Sequence, residues 1–166
     1  KGGQLKLYRK LPAVPPETEP RKEVVFSVDL GSEALSLLVL KSESLPSGGV
    51  SGMVVNDTWE AFPAKHVRVL NLSKRKSAAQ IEGVNAEIAP GGSKLFTFAS
   101  TKPRIRIKVA SYDDGQWKLR FSNSQAIIPE ARINVIVSDF EPTPEDPNPD
   151  GVSVIKMIDP IMAPKS

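Results

Sequence analysis

Short runs in which apolar and polar residues alternate are the feature that most constrains how this chain can fold. In the run "RIRIKVAS", for example, Ile105, Ile107 and Val109 alternate with cationic residues. Because successive side chains of a β-strand point to opposite faces, this period of two is typical of strands with one buried face. Glycine and proline recur between the runs, as turns between short strands require. No comparable stretch shows the 3.6-residue apolar period of an amphipathic helix.

The alternating runs predict about ten short strands and therefore an all-β chain. We expect an antiparallel two-sheet sandwich of immunoglobulin-like character, because many short strands with regular turns favour that architecture. The chain has no clear repeat of fixed period, which argues against a propeller. The runs assigned as strands are "VVFSVDL", "ALSLLVLK", "GVSGMVVND", "HVRVLNLS", "AAQIEG", "AEIAP", "KLFTFAS", "RIRIKVAS", "QWKLRFSN", "RINVIVSD" and "GVSVIKMI".

The length of 166 residues, of which 40% are hydrophobic, suits one globular domain, so we predict a single domain over 1–166. Two proline-rich regions lie outside the predicted sheets, because proline lacks the N–H group that a central strand needs. They are an extended N-terminal segment, 1–23, and an acidic proline-rich loop, 139–151.

Several kinds of chemistry are disfavoured by the residue types present. The chain has no cysteine, which excludes disulfides, thiolate metal sites and cysteine nucleophiles. His66 is the single histidine, and "GVSGM" around Ser51 places Met53 where a nucleophile elbow has its second glycine. We therefore expect no enzyme and no cofactor. The apolar run 37–40 is far too short for a membrane span, and a net charge of +3 does not indicate a nucleic-acid partner.

The stretch "PEDPNPDG" resembles the opening of a calcium-binding loop. Asp146, Asn148 and Asp150 occupy positions 1, 3 and 5 of that pattern, and Gly151 occupies position 6. Position 12, however, is Met157 instead of the required glutamate, and no helix is predicted on either side. We interpret the stretch as an exposed turn and keep the three oxygen-bearing residues only as a weak calcium candidate.

A cluster of cations surrounds the turn in "YDDGQW". A three-residue loop, 113–115, would place Lys108 directly opposite Arg120, and such a like-charge pair is unfavourable. The cluster is interpreted either as a solvated face or as a contact surface for an anionic glycan, a lipid headgroup or an acidic protein surface, including the chain's own acidic segment. The predicted basic face consists of Arg104, Arg106, Lys108, Lys118 and Arg120, with no acid among them.

One block of the chain, 56–96, contains the elements "AFP", "RVLNLS" and "APG" in that order. It resembles a block in uncharacterised exported bacterial β-sandwich proteins, in which an "AFP" element precedes a strand, a short hairpin and an "APG" turn. The resemblance implies an extracytoplasmic sandwich and carries no catalytic residue. The chain opens "KGGQLKLYRK" without an initiator Met or a hydrophobic signal region, which favours a removed export signal and a periplasmic or extracellular location.

Three functions remain open from the sequence. The favoured one is a non-catalytic extracytoplasmic module that is structural or binds another macromolecule. The alternative is a carbohydrate-binding module, for which Trp59, Tyr112 and Trp117 are the aromatic candidates. The third, and least favoured, is a hydrolase that uses a pair of carboxylates.

Overall fold

The chain is all-β. A computed structural model describes residues 3–14, 19–33, 35–42, 49–98, 103–140, 144 and 151–160, which form twelve strands and no helix. The predicted all-β class is thus confirmed, with slightly more strands than expected. Across those same ranges, no helix long and apolar enough to cross a membrane is found. The strands are β1 Gln4–Leu11, β2 Arg21–Asp29, β3 Ser36–Ser42, β4 Val50–Asn56, β5 His66–Asn71, β6 Ser77–Ile81, β7 Val84–Ile88, β8 Ser93–Thr97, β9 Arg104–Asp113, β10 Gln116–Ala126, β11 Ala131–Asp139 and β12 Val152–Pro160.

The strands belong to two compact units, Lys1–Thr58 and Trp59–Ser166. The first unit contains β1 to β4 and the second contains β5 to β12. The single domain over 1–166 stays a prediction.

The first unit consists of two antiparallel hairpins, β1 with β2 and β3 with β4. The strand β1 lies inside the segment 1–23, which was expected only to be extended, and its alternation "QLKLYRKL" is the signal that indicates it. The two hairpins meet at Gly52. A Cβ atom there would lie 2.9 Å from Cζ of Phe26, so only glycine allows this approach.

The second unit is a sandwich of two four-stranded sheets, in the orders β10-β9-β6-β7 and β12-β11-β5-β8. All neighbouring strands in these sheets are antiparallel except β11 and β5, which are parallel. The inward side chains of both sheets form one apolar core, which confirms the two-sheet sandwich for this unit. The core contains Val67, Val69, Ala79, Ile81, Ile88, Phe96, Phe98, Ile105, Ile107, Val109, Ile133, Val135, Val137 and Val152.

Candidate functional site

The β9–β10 hairpin carries most of the residues singled out from the sequence, and its turn differs from the predicted three-residue loop. Asp113 pairs with Gln116, which leaves a two-residue turn of Asp114 and Gly115. Both turn residues have positive φ, 52° and 80°, as a type I′ turn requires. An irregularity between Leu119 and Phe121 then shifts the register of β10.

This register removes the predicted like-charge pair. Lys108 lies opposite Ser122, whereas Arg120 falls in the irregular part of β10 without a partner residue in β9. The prediction that Lys108 faces Arg120 is therefore wrong, because a two-residue turn and a bulge displace β10 by two positions from the expected pairing at that point.

The five predicted cations do not share one face. Arg104, Arg106 and Lys108 alternate with the inward Ile105 and Ile107, so these three cations lie on the outward face of β9. The other two are paired with carboxylates of the hairpin. Lys118 lies 3.0 Å from Asp114, and Arg120 lies 2.5 Å from Asp113. The description of a basic face without acids is thus corrected to a line of three outward cations.

Asp113 is the centre of a charged cluster at the turn end of the hairpin. Its Oδ1 lies 2.5 Å from Nε of Arg75, and its Oδ2 accepts hydrogen bonds from Arg120 and from the Ser111 hydroxyl. Burial of the carboxyl by itself raises the pKa of Asp113. The hydrogen bonds from Ser111 and Arg120 and the charges of Arg75 and Arg120 outweigh burial and lower this pKa below its usual value.

Arg75 connects the same cluster to the acidic proline-rich loop. Its Nη1 donates hydrogen bonds of 2.8 Å to Oδ1 of Asp139 and to the backbone oxygen of Gly151. The partner of Asp139 is therefore Arg75, and the predicted contact of the acidic segment with the basic face is not observed at this residue. The weak calcium candidates Asp146, Asn148 and Asp150 lie outside the described residues.

A groove of about 510 Å³ lies on the outward face of the β10-β9-β6-β7 sheet. Its floor is low because Ala110 of β9 lies opposite Ala78 of β6, and each alanine contributes a single methyl group. In the same row across the sheet, Leu119 of β10 lies beside Ala110 and Glu87 of β7 lies beside Ala78. The groove therefore has an apolar wall on the β10 side and an acidic wall on the β7 side.

Trp117 completes the apolar wall. Its side chain is 42% exposed, and that of Leu119 is 61% exposed. The Trp117 ring meets the Tyr112 ring edge to face, with 5.2 Å between centroids and 64° between planes. This contact fixes the indole orientation, because edge-to-face packing is a favourable geometry for aromatic rings. Trp117 and Tyr112, two of the three predicted aromatic candidates, are thus brought together.

The next row across the sheet is polar on all four strands. Ser122 lies opposite Lys108, Lys108 opposite Gln80, and Gln80 opposite Asn85. Neighbouring strands are about 4.8 Å apart, so this row extends over about 14 Å. The Gln80 amide nitrogen donates a 2.9 Å hydrogen bond to Oδ1 of Asn85, and this bond does not use the side-chain carbonyl of Gln80 or the amide nitrogen of Asn85.

Trp59, the third aromatic candidate, does not contribute to the groove. It lies outside the sheets, and the guanidinium of Arg132 on β11 lies 4.4 Å from the centre of its ring. The same guanidinium lies 4.9 Å from the Phe62 ring and forms an ion pair with Asp159. Trp59 and Phe62 thus enclose a buried arginine on the other sheet, which gives Trp59 a packing role.

Both ring nitrogens of His66 are occupied. Nδ1 lies 2.7 Å from the backbone oxygen of Ala64, and Nε2 lies 2.9 Å from the Thr97 hydroxyl. Because a carbonyl oxygen only accepts, Nδ1 donates the hydrogen bond to Ala64. Three or more metal-ligating side chains do not cluster anywhere in the part of the chain that the structure describes.

The sequence indicates the groove only in part. Alternation places Ala78 and Gln80 on one face of β6, and Asn85 and Glu87 on one face of β7. Local alternation does not reveal that β6 lies beside β9, because that pairing joins strands more than twenty residues apart. The sequence therefore does not predict that Gln80 and Asn85 line the groove.

Comparison with protein-family models, with curated proteins and with solved structures found no match to this chain. The resemblance of the block 56–96 to exported bacterial proteins stays a prediction.

Proposed function

We propose that this chain is a non-catalytic, extracytoplasmic binding module and that the macromolecule it binds is a carbohydrate chain, held in the groove beside Trp117. The observation that carries the proposal is the combination of an exposed indole with an alanine floor and a row of amides on one sheet face. The proposed extracytoplasmic location rests on the sequence resemblance of the block 56–96.

The groove fits the chemistry of a sugar ring. One face of a pyranose consists largely of C–H groups and packs against an aromatic plane, and its edge carries hydroxyl groups. Trp117 supplies the plane, while Gln80 and Asn85 supply both donors and acceptors for hydroxyls. Ala78 and Ala110 allow the ring to approach the sheet closely, because nothing larger than a methyl group projects from the floor.

The composition of the groove supports binding without hydrolysis. Hydrolysis by a carboxylate pair requires two carboxyl groups about 5 to 10 Å apart. Glu87 is the one carboxylate that lines the groove within the described ranges. The hydrolase alternative therefore has less support than the binding function.

The proposal is tested by electrophoresis through gels that contain a soluble polysaccharide, in which a binding protein migrates more slowly. The panel contains xylan, a soluble β-glucan, polygalacturonate and alginate. We expect retardation by at least one of them and loss of most of it in Trp117→Ala. Loss of a stacked ring weakens binding by about 1.4 kcal/mol, which corresponds to about tenfold in Kd.

Ile155→Ala is the matched control, because it removes an exposed apolar side chain from β12 of the other sheet. It is expected to migrate like the wild type in every gel. Equal retardation of Trp117→Ala and the wild type, or no retardation by any polysaccharide in the panel, would contradict the proposed function.

A further inference from the structure

A line of cations leads out of the groove along β9. Lys108 lines the groove, and Arg106 and Arg104 follow on the same outward face at intervals of two residues. Two residues of a strand extend over about 6.6 Å, so the three charges extend over about 13 Å. These three residues are called the cation track below.

The cations of the track next to the groove have no ion-pair partner among the described residues. Neither Lys108 nor the guanidinium of Arg106 forms an ion pair with any residue that the structure describes. Arg104 is oriented by Ser124, with Nε 3.0 Å from the hydroxyl oxygen and Nη2 2.6 Å from the backbone oxygen.

Two carboxylates lie near the track, and neither forms an ion pair with Arg106 or Lys108 in the part of the chain that the structure describes. Oε1 of Glu82 accepts a 2.7 Å hydrogen bond from the backbone N–H of Arg106, so this carboxylate contacts the main chain at that residue. Glu87 lines the groove from β7, two strands away from β9. The outward face of β9 that continues from the groove therefore carries three cations and one adjacent carboxylate, that of Glu82, and its net charge is positive.

We propose that the carbohydrate bound in the groove is acidic, with a carboxylate or sulfate group that pairs with Lys108 and Arg106 while one sugar ring stacks on Trp117. This inference rests on the proposed function and adds the charge of the ligand to it. A guanidinium binds a carboxylate or sulfate through two parallel hydrogen bonds, and a lysine ammonium adds a point charge. The acidic groups of a polysaccharide recur at regular intervals, as the three cations of the track do along β9.

The experiment measures Kd by isothermal titration for three hexasaccharides: a neutral β-1,4-glucan, an oligogalacturonate and a heparin fragment. The first carries no charge, the second carries carboxylates and the third carries sulfates. Comparison of the two acidic hexasaccharides therefore shows whether the site prefers carboxylate or sulfate. We expect at least one acidic probe to bind about tenfold more tightly than the neutral probe at about 0.1 M salt. The preference falls at about 1 M salt, where the Debye length is about 3 Å instead of about 10 Å.

The double substitution Arg106→Ser/Lys108→Ser is expected to remove this preference, so that acidic and neutral probes then bind within about twofold of each other. Lys74→Ser/Lys94→Ser is the control, because it removes the same net charge from exposed positions outside the groove-bearing sheet. The control is expected to keep the full preference for acidic probes.

Two results would overturn the inference while leaving the proposed function in place. One is a neutral hexasaccharide that binds as tightly as both acidic ones, with binding still lost in Trp117→Ala. The other is a preference for acidic probes that Arg106→Ser/Lys108→Ser and Lys74→Ser/Lys94→Ser lower equally. The preference would then come from the net charge of the protein and not from the cation track. Absence of binding by all three hexasaccharides and by every polysaccharide of the gel panel would contradict the proposed function itself.

Discussion

At the scale of single residues, Asp113 forms two ion pairs at the turn end of the hairpin that carries Trp117. Its carboxylate pairs with Arg120, and their side chains are 10% and 5% exposed, respectively. It also pairs with Arg75 at 2.5 Å. Removal of its charge takes this carboxylate away from the buried Arg120 guanidinium, whereas Arg75 keeps its ion pair with Asp139. Such a loss is costly where water is excluded.

We predict that Asp113→Asn lowers the free energy of unfolding of the second unit by about 3 kcal/mol at pH 7, as expected for a broken buried ion pair. Urea unfolding followed by far-UV circular dichroism measures the change. Asp114→Asn is the control, because the Asp114 side chain is 86% exposed and its pair with Lys118 contributes little. Asparagine also accepts the positive φ at that position.

The effect of Asp113 depends on pH in a defined direction. The pKa of Asp113 is lower in the folded protein than in the unfolded chain, where an aspartate has a pKa of about 3.9. Its contribution is therefore complete above about pH 4 and is lost as the pH falls through the folded pKa. The difference between wild type and Asp113→Asn is expected to narrow below about pH 4. A difference that stays constant down to about pH 2 would contradict this account.

At the scale of elements, the turn type sets which side chains reach the groove. The two-residue turn of Asp114 and Gly115 places Trp117 opposite Tyr112 and Leu119 opposite Ala110. A slip of one residue would move Trp117 and Leu119 to the other face of the sheet. The turn therefore determines the composition of the apolar wall.

Gly115→Ala is predicted to destabilise this hairpin, because φ at Gly115 is 80° and an L-residue with a Cβ atom is strained there. The expected loss is about 1–2 kcal/mol of unfolding free energy, measured in urea. Gly3→Ala is the matched control, since φ at Gly3 is not positive and an added Cβ meets no atom within 4 Å. A loss of the same size in both variants would show that the turn geometry is not the cause.

Individual strands were predictable from the sequence, whereas registers and neighbours were not. Period-two alternation located β9 and β10, because one face of each strand packs on the core. The Asp-Gly pair at 114–115 carried a type I′ signal that the adjacent Asp113 obscured. The bulge before Phe121 has no comparable signal in the local sequence, because it depends on how β10 pairs with β9. The basic face was wrongly predicted because the two-residue turn places Lys118 opposite the buried Ser111, on the other face of the sheet from Lys108.

At the scale of the whole molecule, the two units differ in how deeply they bury their residues. None of the described residues of Lys1–Thr58 is buried, whereas the second unit has a continuous core. Isolated two-stranded hairpins are marginally stable, and a large two-sheet core is stable by itself. The first unit is therefore expected to open more readily than the second.

Native-state hydrogen exchange followed by mass spectrometry tests this difference. We predict that amides of β5, β9 and β11 exchange most slowly, and that amides of β1 to β4 exchange at least about 100-fold faster, a difference of about 2.7 kcal/mol in opening free energy. Equal protection of both sets of strands would indicate that the two units unfold as one, which would contradict their different burial.

The groove is a property of the whole sheet, since its floor and walls come from all four strands. The sequence indicated Trp117 and Tyr112 as aromatic candidates for carbohydrate binding and Lys108 as part of a basic face, which are two separate interpretations. Only the pairing of β6 with β9 brings them to one surface with Gln80 and Asn85. A long-range pairing of this kind depends on the shared core rather than on local pattern.

The most direct test of the central claim uses the fact that the chain contains two tryptophans, Trp59 and Trp117. In Trp59→Phe, the aromatic ring beside Arg132 is kept and all tryptophan emission comes from Trp117. Titration of this variant with the polysaccharide that retards the protein in gels is predicted to shift the emission to shorter wavelength and to saturate at the Kd of binding, because a stacked sugar removes water from the indole. Saturable binding by calorimetry with unchanged Trp117 emission would contradict the claim that the groove is the binding site.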